Sequence, residues 1–445
     1  MDKEYILNLI IEKKFQILKE ALGNINENDI CTIFTELSDE NILIIFRLLP
    51  KYKAAEVFSN MDHSMKKILI NSFTDTELKN VIAELFTDDT VDLIEEMPSN
   101  LVKRILKTIS PDEREVINEY LNYPKNSAGS IMTNEFVDLK ENITVEEAFE
   151  KIRKVGLDRE TIYNCYVLDS SRKLIGLVSV RDLLLSDKKE VIKNIMQRNI
   201  ISANTLEDKE IVVKRLLKYD FLALPVVDKE KSLVGIITVD DAVDVLENEN
   251  TEDFVKMAAI NPSEQSYFQT PILKHAKNRI TWLLFLMVSS ILTGGIISKY
   301  ENAFAAIPLL VSFIPMLMDT GGNCGSQAST LIIRGLAMDE IRIKDYFKVI
   351  LKEIRIALIV GMTLACIMFI WIFAIYHNIK ISAIVSSTLV CTVVLSKCLG
   401  CSLPIVAKRF GFDPAIMAAP LISTIVDTCS VLIYFNIAML FIGKI

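Results

Sequence analysis

The sequence has few of the residues from which enzymes build metal centres and nucleophilic sites. Three histidines occur among 445 residues, His63, His275 and His377, and they lie far apart in the chain. We find no P-loop, nucleophile elbow or HExxH signature. Cys398 and Cys401 are three residues apart, but no other Cys/His cluster lies nearby, so packing is a better interpretation than a zinc site. These absences argue against an enzyme.

Charge is distributed unevenly along the chain. Residues 1–270 contain 34 Lys and Arg against 49 Asp and Glu, whereas residues 271–445 contain 15 against 8. A chain of this length exceeds one ordinary core, so two or three domains are expected. The first 20 residues mix acids and bases among apolar positions and lack the uninterrupted apolar stretch of a secretory signal. We therefore expect an acidic half that stays in the cytoplasm and a separate apolar half.

Long apolar runs in the C-terminal half predict membrane spans. Residues 280–298 form an uncharged run of 19, and a hydrocarbon core ~30 Å thick needs about 20 helical residues. Four further runs bring the predicted number of spans to five: 303–333, 356–376, 381–407 and 414–443. Lys and Arg are concentrated before the first span, between the second and third, and between the fourth and fifth. The positive-inside rule therefore predicts a cytoplasmic N-terminus and an extracytoplasmic C-terminus.

Two features of these spans differ from ordinary lipid-facing helices. Asp427 has 13 uncharged residues before it and 16 after it, and an ionised carboxylate near the bilayer midplane costs at least ~2.5 kcal/mol. It is expected to face a polar path; a structural carboxylate, protonated or paired with Lys397, is the alternative. The segment 315–327, PMLMDTGGNCGSQ, has glycines and a proline that favour exposed backbone groups lining water. Close helix packing is the alternative there.

The chemistry of these candidate ligands favours a hard cation. They offer oxygen atoms without a Cys/His cluster, which suits Mg²⁺, an ion that gives up its hydration water reluctantly. The same ligands also suit Ca²⁺ or Mn²⁺.

The N-terminal half divides into a helical part and a repeat. Residues 1–125 form short amphipathic patterns, and Pro50 and Pro98 each precede one of them, which indicates a stacked-helix repeat. From 126 to 250, the segment KLIGLVSVRDLL beginning at Lys173 recurs 59 residues later as SLVGIITVDDAV. Each copy follows an apolar strand and leads into a helix. This resembles a tandem CBS pair, a βαββα module, and the resemblance implies binding of ATP or another adenine nucleotide.

The helix that leaves the second copy is strongly acidic. Seven carboxylates occur within 14 residues, and on a helix like charges three or four residues apart repel each other. They are Asp240, Asp241, Asp244, Glu247, Glu249, Glu252 and Asp253. A solvated acidic face is the ordinary interpretation, but this helix leads directly into the linker before the first span.

The order of these parts, with PMLMDTGGNCGSQ and the later FDPA and PLISTIVD segments, resembles the MgtE family of magnesium channels along essentially the whole chain. The resemblance implies a multi-domain protein: an all-α helical repeat domain (1–125), an α/β tandem CBS pair (126–250), a connecting helix and linker (251–275) and an all-α transmembrane domain of five helices (276–445). It further implies a homodimer with the pore on the dimer axis, in the bacterial cell membrane and without nucleic acid partners.

The resemblance also implies roles for particular residues. Asp427, with Gly321, Gly322 and Asn323 beside it, is similar to the pore site that holds hydrated Mg²⁺. Asp319 adds an acid before these glycines, and it either lines the pore or lies at its edge. Regulatory Mg²⁺ ligands are expected in the helical domain, the CBS pair, the connecting helix and the membrane side: Glu56, Asp88, Asp92, Asp208, Glu210, Asp220, Asp241, Asp244, Glu249, Glu252, Asp253 and Asp413.

These features predict feedback gating by charge neutralisation. When cytosolic Mg²⁺ is high, ions bridge the acidic surfaces and the pore closes; when it is low, repulsion opens the pore. One rival is a pathway for Co²⁺, Mn²⁺ or Ca²⁺ on the same scaffold. A second is a membrane-anchored nucleotide sensor whose spans only tether the CBS pair, but a tether has no need of a carboxylate at the midplane.

Overall fold

The computed structural model describes residues 3–263, 267–268, 270–300, 307–417 and 419–442. It contains two compact units, Met1–Glu247 and Asn248–Ile445. The first unit holds a stack of short helices and two small sheets, and the second holds long helices. The multi-domain fold class predicted from the sequence is therefore confirmed in its three main parts.

Ten short helices make up the start of the first unit. Helices two positions apart in sequence pack together, as α3 does with α5, α5 with α7, and α7 with α9. This stacking confirms the predicted helical repeat. The helices are α1 (Lys3–Ile11), α2 (Phe15–Gly23), α3 (Glu27–Phe34), α4 (Asp39–Leu48), α5 (Lys51–Ser59), α6 (His63–Ser72), α7 (Asp75–Ile82), α8 (Thr87–Glu96), α9 (Ser99–Thr108) and α10 (Pro111–Leu121).

Local sequence signals explain where these helices begin. Pro50 and Pro98 occupy the positions just before α5 and α9, with φ of −58° and −59°. A fixed φ in this range suits the entry to a helix, and no backbone N–H is lost from the helix interior. Thr74 and Ser110 form capping boxes with glutamates three residues later. Each box satisfies two backbone N–H groups that the first turn leaves without partners.

Two three-stranded sheets follow, each with one parallel and one antiparallel pair. In the first, β1 (Val137–Lys140) runs parallel to β2 (Asn164–Leu168), which pairs antiparallel with β3 (Leu174–Ser179). In the second, β4 (Ala203–Asn204), β5 (Ala223–Val227) and β6 (Leu233–Thr238) repeat that order. The helices of this part are α11 (Val145–Val155), α12 (Val180–Leu185), α13 (Ile192–Ile195), α14 (Lys209–Lys218) and α15 (Val239–Met257).

In the described residues of the second unit, five long helices follow the end of α15. They are α16 (Ile272–Lys299), α17 (Ile314–Ala337), α18 (Tyr346–Tyr376), α19 (Ile379–Arg409) and α20 (Ala419–Ile442). Among the described residues, four segments are long and apolar enough to cross a membrane: Ile272–Lys299, Ile343–Tyr376, Ile379–Arg409 and Pro414–Phe441. The second predicted span, 303–333, corresponds to α17, whose glycines and polar side chains make it less apolar, so the count of five is not confirmed. Part of that predicted span, 303–306, lies outside the described residues.

Packing in this unit is centred on three helices. Helix α17 packs along both α19 and α20, and α18 packs along α19. By contrast, the apolar side chains of α16 are largely exposed, including Leu283, Phe285 and Ile291. A long helix with an exposed apolar surface suits a lipid environment, because contact with hydrocarbon chains removes its apolar side chains from water.

Candidate ion pathway and acidic regulatory cluster

The segment predicted to interrupt a membrane helix is instead part of a continuous one. Residues 315–327 lie inside α17, which is 24 residues long. An α-helix satisfies its interior backbone groups within the segment, so the expectation that glycines and Pro315 free backbone groups for ion binding is wrong. Pro315 stands in the first turn, where its missing N–H has no helical partner to lose.

The glycines of α17 serve close helix packing, which was the alternative interpretation. A Cβ at Gly321 would lie 2.8 Å from the Thr392 side chain and 2.9 Å from that of Val426. A Cβ at Gly322 would lie 3.1 Å from the Ser423 hydroxyl. Gly321 and Gly322 are both buried, and the Ser396 hydroxyl donates a hydrogen bond to the Gly321 carbonyl oxygen. These two glycines thus bring α19 and α20 close to α17.

A polar face of α17 remains uncovered. Asp319, Asn323 and Gln327 are spaced four residues apart and all three are exposed. Residues at this spacing lie one above another on the same side of a helix. Asp427, half-buried on α20, lies close enough to Asp319 for the two carboxylates to repel each other. Asp319 and Asn323 therefore share the polar side of α17, and Asp427 lies near Asp319.

The buried lysine of the membrane unit pairs with a glutamate on another helix. Lys397 and Glu353 are both almost completely buried, and the Lys397 Nζ lies 3.7 Å from a Glu353 carboxylate oxygen. The alternative in which Lys397 neutralises Asp427 is therefore wrong in this structure. Asp427 is left facing Asp319, an acid, which favours a role that involves a mobile cation.

Carboxylates converge in the first unit where α8 meets the CBS pair. Three come from the start of α8, and the others come from the segments before β1 and β2 and from the start of α15. Asp88 interacts electrostatically with Asp241, Asp89 and Glu160, and Glu160 also interacts with Asp240 and Glu135. We call this group the acidic cluster: Asp88, Asp89, Asp92, Glu135, Glu160, Asp240 and Asp241.

Burial and mutual repulsion make ionisation of the acidic cluster unfavourable. Burial, followed by the charges of Asp241 and Asp240, raises the pKa of Glu160 to about 8. Burial also raises the pKa of Asp241 to about 6, although the Thr238 hydroxyl donates a hydrogen bond to that carboxylate. The pKa of Asp88 lies well above its ordinary value for the same reason, with Asp241 as the main neighbouring charge. At neutral pH a carboxyl group with a pKa of about 8, as at Glu160, is largely protonated, and a nearby cation favours its charged form.

Like Asp240, Asp92 is a member of the acidic cluster that is exposed to solvent. The surrounding protein, together with Glu96 and Asp89, nevertheless raises its pKa to about 7. The positive charge of Lys66 lowers the pKa of Asp92 and of Asp89, so it opposes the upward shift at both residues. One lysine thus lies near several carboxylates. The cluster thus has a net negative charge that its own cations do not balance.

Glu135 anchors the cluster at the entrance of α8. Its carboxylate accepts hydrogen bonds from the Thr87 backbone N–H at 3.2 Å and from the Thr87 hydroxyl at 2.6 Å. The Tyr120 hydroxyl is buried near Glu135 and Asp88, with no hydrogen-bond partner among the described residues. Within those residues, no three Asp, Glu, His or Cys side chains converge to form a direct metal site. The arrangement therefore suits hydrated cations that bridge carboxylates more than a preformed cage.

Several predicted regulatory residues have local structural partners. Glu56 lies near Glu27 and Lys53, and burial, followed by the Glu27 charge, raises its pKa. Asp208 precedes α14 and accepts hydrogen bonds from the backbone N–H groups of Glu210 and Ile211 at 2.9 and 3.4 Å. This is an N-cap, a structural role.

Two more residues from that set also lie outside the acidic cluster as defined here. Glu210 forms an ion pair with Lys214 at 2.6 Å, four residues along the same helix. Asp220 is exposed and takes a left-handed φ of 53° after α14. Asp is one of the few residues other than glycine that adopts this conformation readily, which supplies a local reason for its presence.

The carboxylates of the connecting helix divide between the two units. Burial, followed by the charge of Glu247, raises the pKa of Asp244. In the second unit, Glu252 and Asp413 both contact Lys256, each at 2.7 Å. Glu249 and Asp253 are half-buried on the same helix and also have interaction partners.

The predicted set of regulatory ligands did not include four members of the acidic cluster. Asp89 and Asp240 stand next to Asp88 and Asp241, so adjacency was the available signal. Glu135 and Glu160 carry no local signal, since each is a single acid in a connecting segment. They become part of the cluster only because the CBS fold brings those segments against α8.

The fold and these sites define a class of protein. A helical domain with an acidic face, a CBS pair and a bundle of membrane-competent helices carrying facing carboxylates together describe a membrane transport protein with a regulatory module. The family model MgtE, described as a divalent cation transporter, matches residues 314–437. The MgtE intracellular N domain model matches residues 25–126, and the CBS domain model matches 128–188 and 192–248. The chain belongs to the MgtE family of transporters, so it is not an enzyme.

Relatives cover nearly the whole chain. The magnesium transporter MgtE of Thermus thermophilus is 34% identical over 431 residues, which cover 96% of each chain. The magnesium transporter MgtE of Bacillus subtilis is 31% identical, covering 99% of this chain and 98% of that one. A crystal structure of the cytosolic domain of the Mg²⁺ channel MgtE in complex with ATP is 33% identical with a TM-score of 0.52, and covers 55% of this chain and 100% of that chain.

Proposed function

We propose that this protein is a Mg²⁺ channel for magnesium uptake, closed by Mg²⁺ that binds its acidic regulatory surfaces. The polar face of α17, where Asp319, Asn323 and Gln327 lie on the side of Asp427, carries the pore assignment. Polar groups at membrane depth are stable only when protein or water covers them. The relatives named as magnesium transporters supply the choice of ion.

A second copy of the chain supplies the cover for this face. The exposed polar side chains of α17 would face hydrocarbon in a single chain, which is unfavourable. When two copies place these faces opposite each other, the carboxylates and amides line a shared water-filled path. The protein is thus a homodimer in the bacterial cell membrane, with its N-terminus in the cytoplasm. Asp427 holds the hydrated ion, and Asn323 contributes an amide oxygen.

Ion uptake into proteoliposomes tests the pore. Asp427→Ala is expected to abolish Mg²⁺ uptake, because it removes the negative charge that compensates the ion in the membrane. Asn436→Ala is the matched control, since Asn436 is an exposed polar residue of the same helix whose side chain bonds only to the Leu432 carbonyl oxygen. Full uptake by Asp427→Ala would overturn the pore assignment. Parallel measurements with Ca²⁺, Co²⁺ and Mn²⁺ decide the selectivity.

The acidic cluster gives the regulatory part its physical basis. Repulsion among its carboxylates opposes the packing of α8 against the CBS pair when no cation is bound. Mg²⁺ offsets that repulsion and favours the compact arrangement, which closes the pore. Moving a two-state gate from 1:99 to 99:1 takes ~5.5 kcal/mol, a sum that several weak Mg²⁺ sites in two copies supply together.

Neutralising the carboxylates tests this regulation. Asp88→Asn, Asp92→Asn and Asp241→Asn together are expected to make channel closure far less sensitive to cytosolic Mg²⁺, because the repulsion that Mg²⁺ offsets is already reduced. The same is expected when Asp241, Asp244, Glu252 and Asp253 are neutralised together. The matched control is Asp112→Asn, an exposed acid of α10. Unchanged inhibition in patch recordings would rule out the mechanism.

The CBS pair is a nucleotide site by the same family argument. The related cytosolic domain was crystallised with ATP, and one sheet end of this chain has suitable residues. Asn164 pairs with Ser179, so exposed Tyr163 and exposed Arg181 lie at the same end of β2 and β3. An aromatic ring suits an adenine and a guanidinium suits a phosphate. Equilibrium dialysis with ATP tests this, and Tyr163→Ala with Arg181→Ala is expected to abolish binding.

A further inference from the structure

A lysine occupies the place between two carboxylates for which the sequence predicts Mg²⁺. Lys256, in the last turn of α15, points its Nζ at a Glu252 oxygen and at an Asp413 oxygen, each 2.7 Å away. Glu252 is four residues earlier on the same helix, whereas Asp413 lies 157 residues further along the chain. The Lys256 ammonium donates a hydrogen bond to the Asp413 carboxylate and forms an ion pair with Glu252, so one positive charge lies between two acids.

Further hydrogen bonds connect Asp413 to both helices of the proposed pore. Its other oxygen accepts a hydrogen bond from the Ala415 backbone N–H at 2.8 Å. Ala415 belongs to the 3₁₀ turn Pro414–Met417, which leads towards α20. The Met417 carbonyl oxygen at the end of that turn accepts a hydrogen bond from the Ser329 hydroxyl of α17 at 3.0 Å. A short chain of contacts thus connects Lys256 to α17 and to α20.

The segment after Lys256 is attached to the membrane unit at a second point. The chain leaves α15 through Ala259, whose φ of 55° is left-handed. Asn261 then donates its backbone N–H to the Asn278 carbonyl oxygen at 3.1 Å, and its side-chain oxygen accepts a hydrogen bond from Trp282 at 3.2 Å. The end of α15 is held to α16 on one side and to the turn before α20 on the other.

We infer that Lys256 is a tethered counterion that takes the place of a divalent cation between Glu252 and Asp413. A group attached to the chain has a high effective concentration at its partners, independent of the ions in solution. The junction between α15 and the 3₁₀ turn therefore stays closed with or without Mg²⁺, and Mg²⁺ sensing is left to the acidic cluster. This inference rests on the proposed function for its meaning in gating, but the contact itself is testable without transport.

Hydrogen–deuterium exchange of the full chain tests the tether directly. In wild-type protein, the amides of residues 254–260 are expected to exchange at similar rates in EDTA and in Mg²⁺. In Lys256→Gln, which keeps the length of the side chain and loses its charge, Glu252 and Asp413 repel each other. Exchange in EDTA is then expected to rise by about fivefold or more, and Mg²⁺ should slow it again by replacing the lost ammonium.

Two variants control this experiment. Lys256→Arg retains a cation and should behave as wild type, whereas Lys277→Gln removes an exposed lysine of α16 and should have no effect. Unchanged exchange in Lys256→Gln, or wild-type exchange that Mg²⁺ slows by about fivefold or more, would overturn the inference. The first result would show that the ion pair does not hold the segment, and the second that Mg²⁺ acts there despite the lysine.

Mg²⁺ uptake supplies the functional arm. With the tether lost, repulsion at the junction opposes closure, so the Mg²⁺ concentration for half-closure should rise by about fivefold or more in Lys256→Gln. Adding Asp413→Asn to Lys256→Gln removes one of the two repelling charges, so the half-closing Mg²⁺ concentration should fall again. An identical half-closing concentration in wild type and Lys256→Gln contradicts the gating part. If the wild-type protein takes up no Mg²⁺, the proposed function is wrong. The hydrogen–deuterium exchange result still shows whether the Lys256 ion pairs hold the segment.

Discussion

Mg²⁺ binding to the acidic cluster should release protons, and the amount follows from the pKa values of its members. At pH 7 a carboxyl group with a pKa of about 8, as at Glu160, is largely protonated. One with a pKa of about 7, as at Asp92, is half protonated, and one with a pKa of about 6, as at Asp241, is largely ionised. If Mg²⁺ drives all three to the charged form, about one to two protons leave each chain.

Isothermal titration calorimetry measures this release. Full-length protein is titrated with Mg²⁺ in two buffers of different ionisation enthalpy at pH 7, and the difference in heat gives the number of protons. Glu160→Gln should reduce the release by nearly one proton per chain, because this residue contributes most at that pH. Glu150→Gln, which changes an exposed acid of α11, is the control. Equal proton release by wild type and Glu160→Gln would refute the reasoning.

The same shifts have a defined sign for stability. A carboxyl whose pKa is raised on folding binds more protons in the folded state than in the unfolded state, between the two pKa values. In EDTA, the free energy of unfolding of the first unit should therefore decrease as pH rises from about 4.5 to about 8, the interval that Glu160 sets. Saturating Mg²⁺ should weaken this decrease. A stability that rises with pH over this interval in EDTA would contradict the burial of the cluster.

Two further predictions concern packing. A Cβ added at Gly400 would collide with the Gly325 backbone carbonyl oxygen. Gly400→Ala should therefore push α19 away from α17 and destabilise the membrane unit by about 1–3 kcal/mol, measured by denaturant unfolding. Gly294→Ala is the control and should be nearly neutral, because a Cβ there meets nothing within 4 Å. Lys53 is almost fully buried, donates hydrogen bonds to the Gly23 and Ile25 carbonyl oxygens and pairs with Glu27 at 3.2 Å. Lys53→Met should therefore lower the free energy of unfolding by about 2–4 kcal/mol. Lys51→Met, which changes an exposed lysine of α5, should lower it little. Equal stabilities within either pair would contradict the packing described.

Periodic signals in the sequence predicted the architecture well. Apolar runs located the long helices, prolines marked the starts of α5 and α9, and a 59-residue repeat predicted the two sheets. These signals are local, because each element must match its own hydrophobic period and its own caps. Asp427 also stands out in the sequence, since a single acid in a long apolar run is unfavourable without a function, and its place in the pore stays a prediction.

The role of the glycines in α17 was not decidable from the sequence. Small residues are needed both where a backbone lines an ion path and where two helices approach closely, so the same letters fit both. Only the partners distinguish the two cases. Thr392 and Val426 face Gly321 from other helices, and these contacts link positions more than 70 residues apart.

The sequence also did not predict which cations compensate the charges of the acidic residues. An acid-rich helix predicts a need for cations, but the sequence does not say whether the cation is an ion or a side chain. At the acidic cluster, several carboxylates lie near one lysine, Lys66, and we propose that Mg²⁺ from solution compensates their charge. At the end of α15, Lys256 satisfies Glu252 and Asp413 within the chain. Under the proposed mechanism, sensitivity to Mg²⁺ depends on which acids have no side-chain cation beside them, so counting acids along the helix overestimates the number of Mg²⁺ sites.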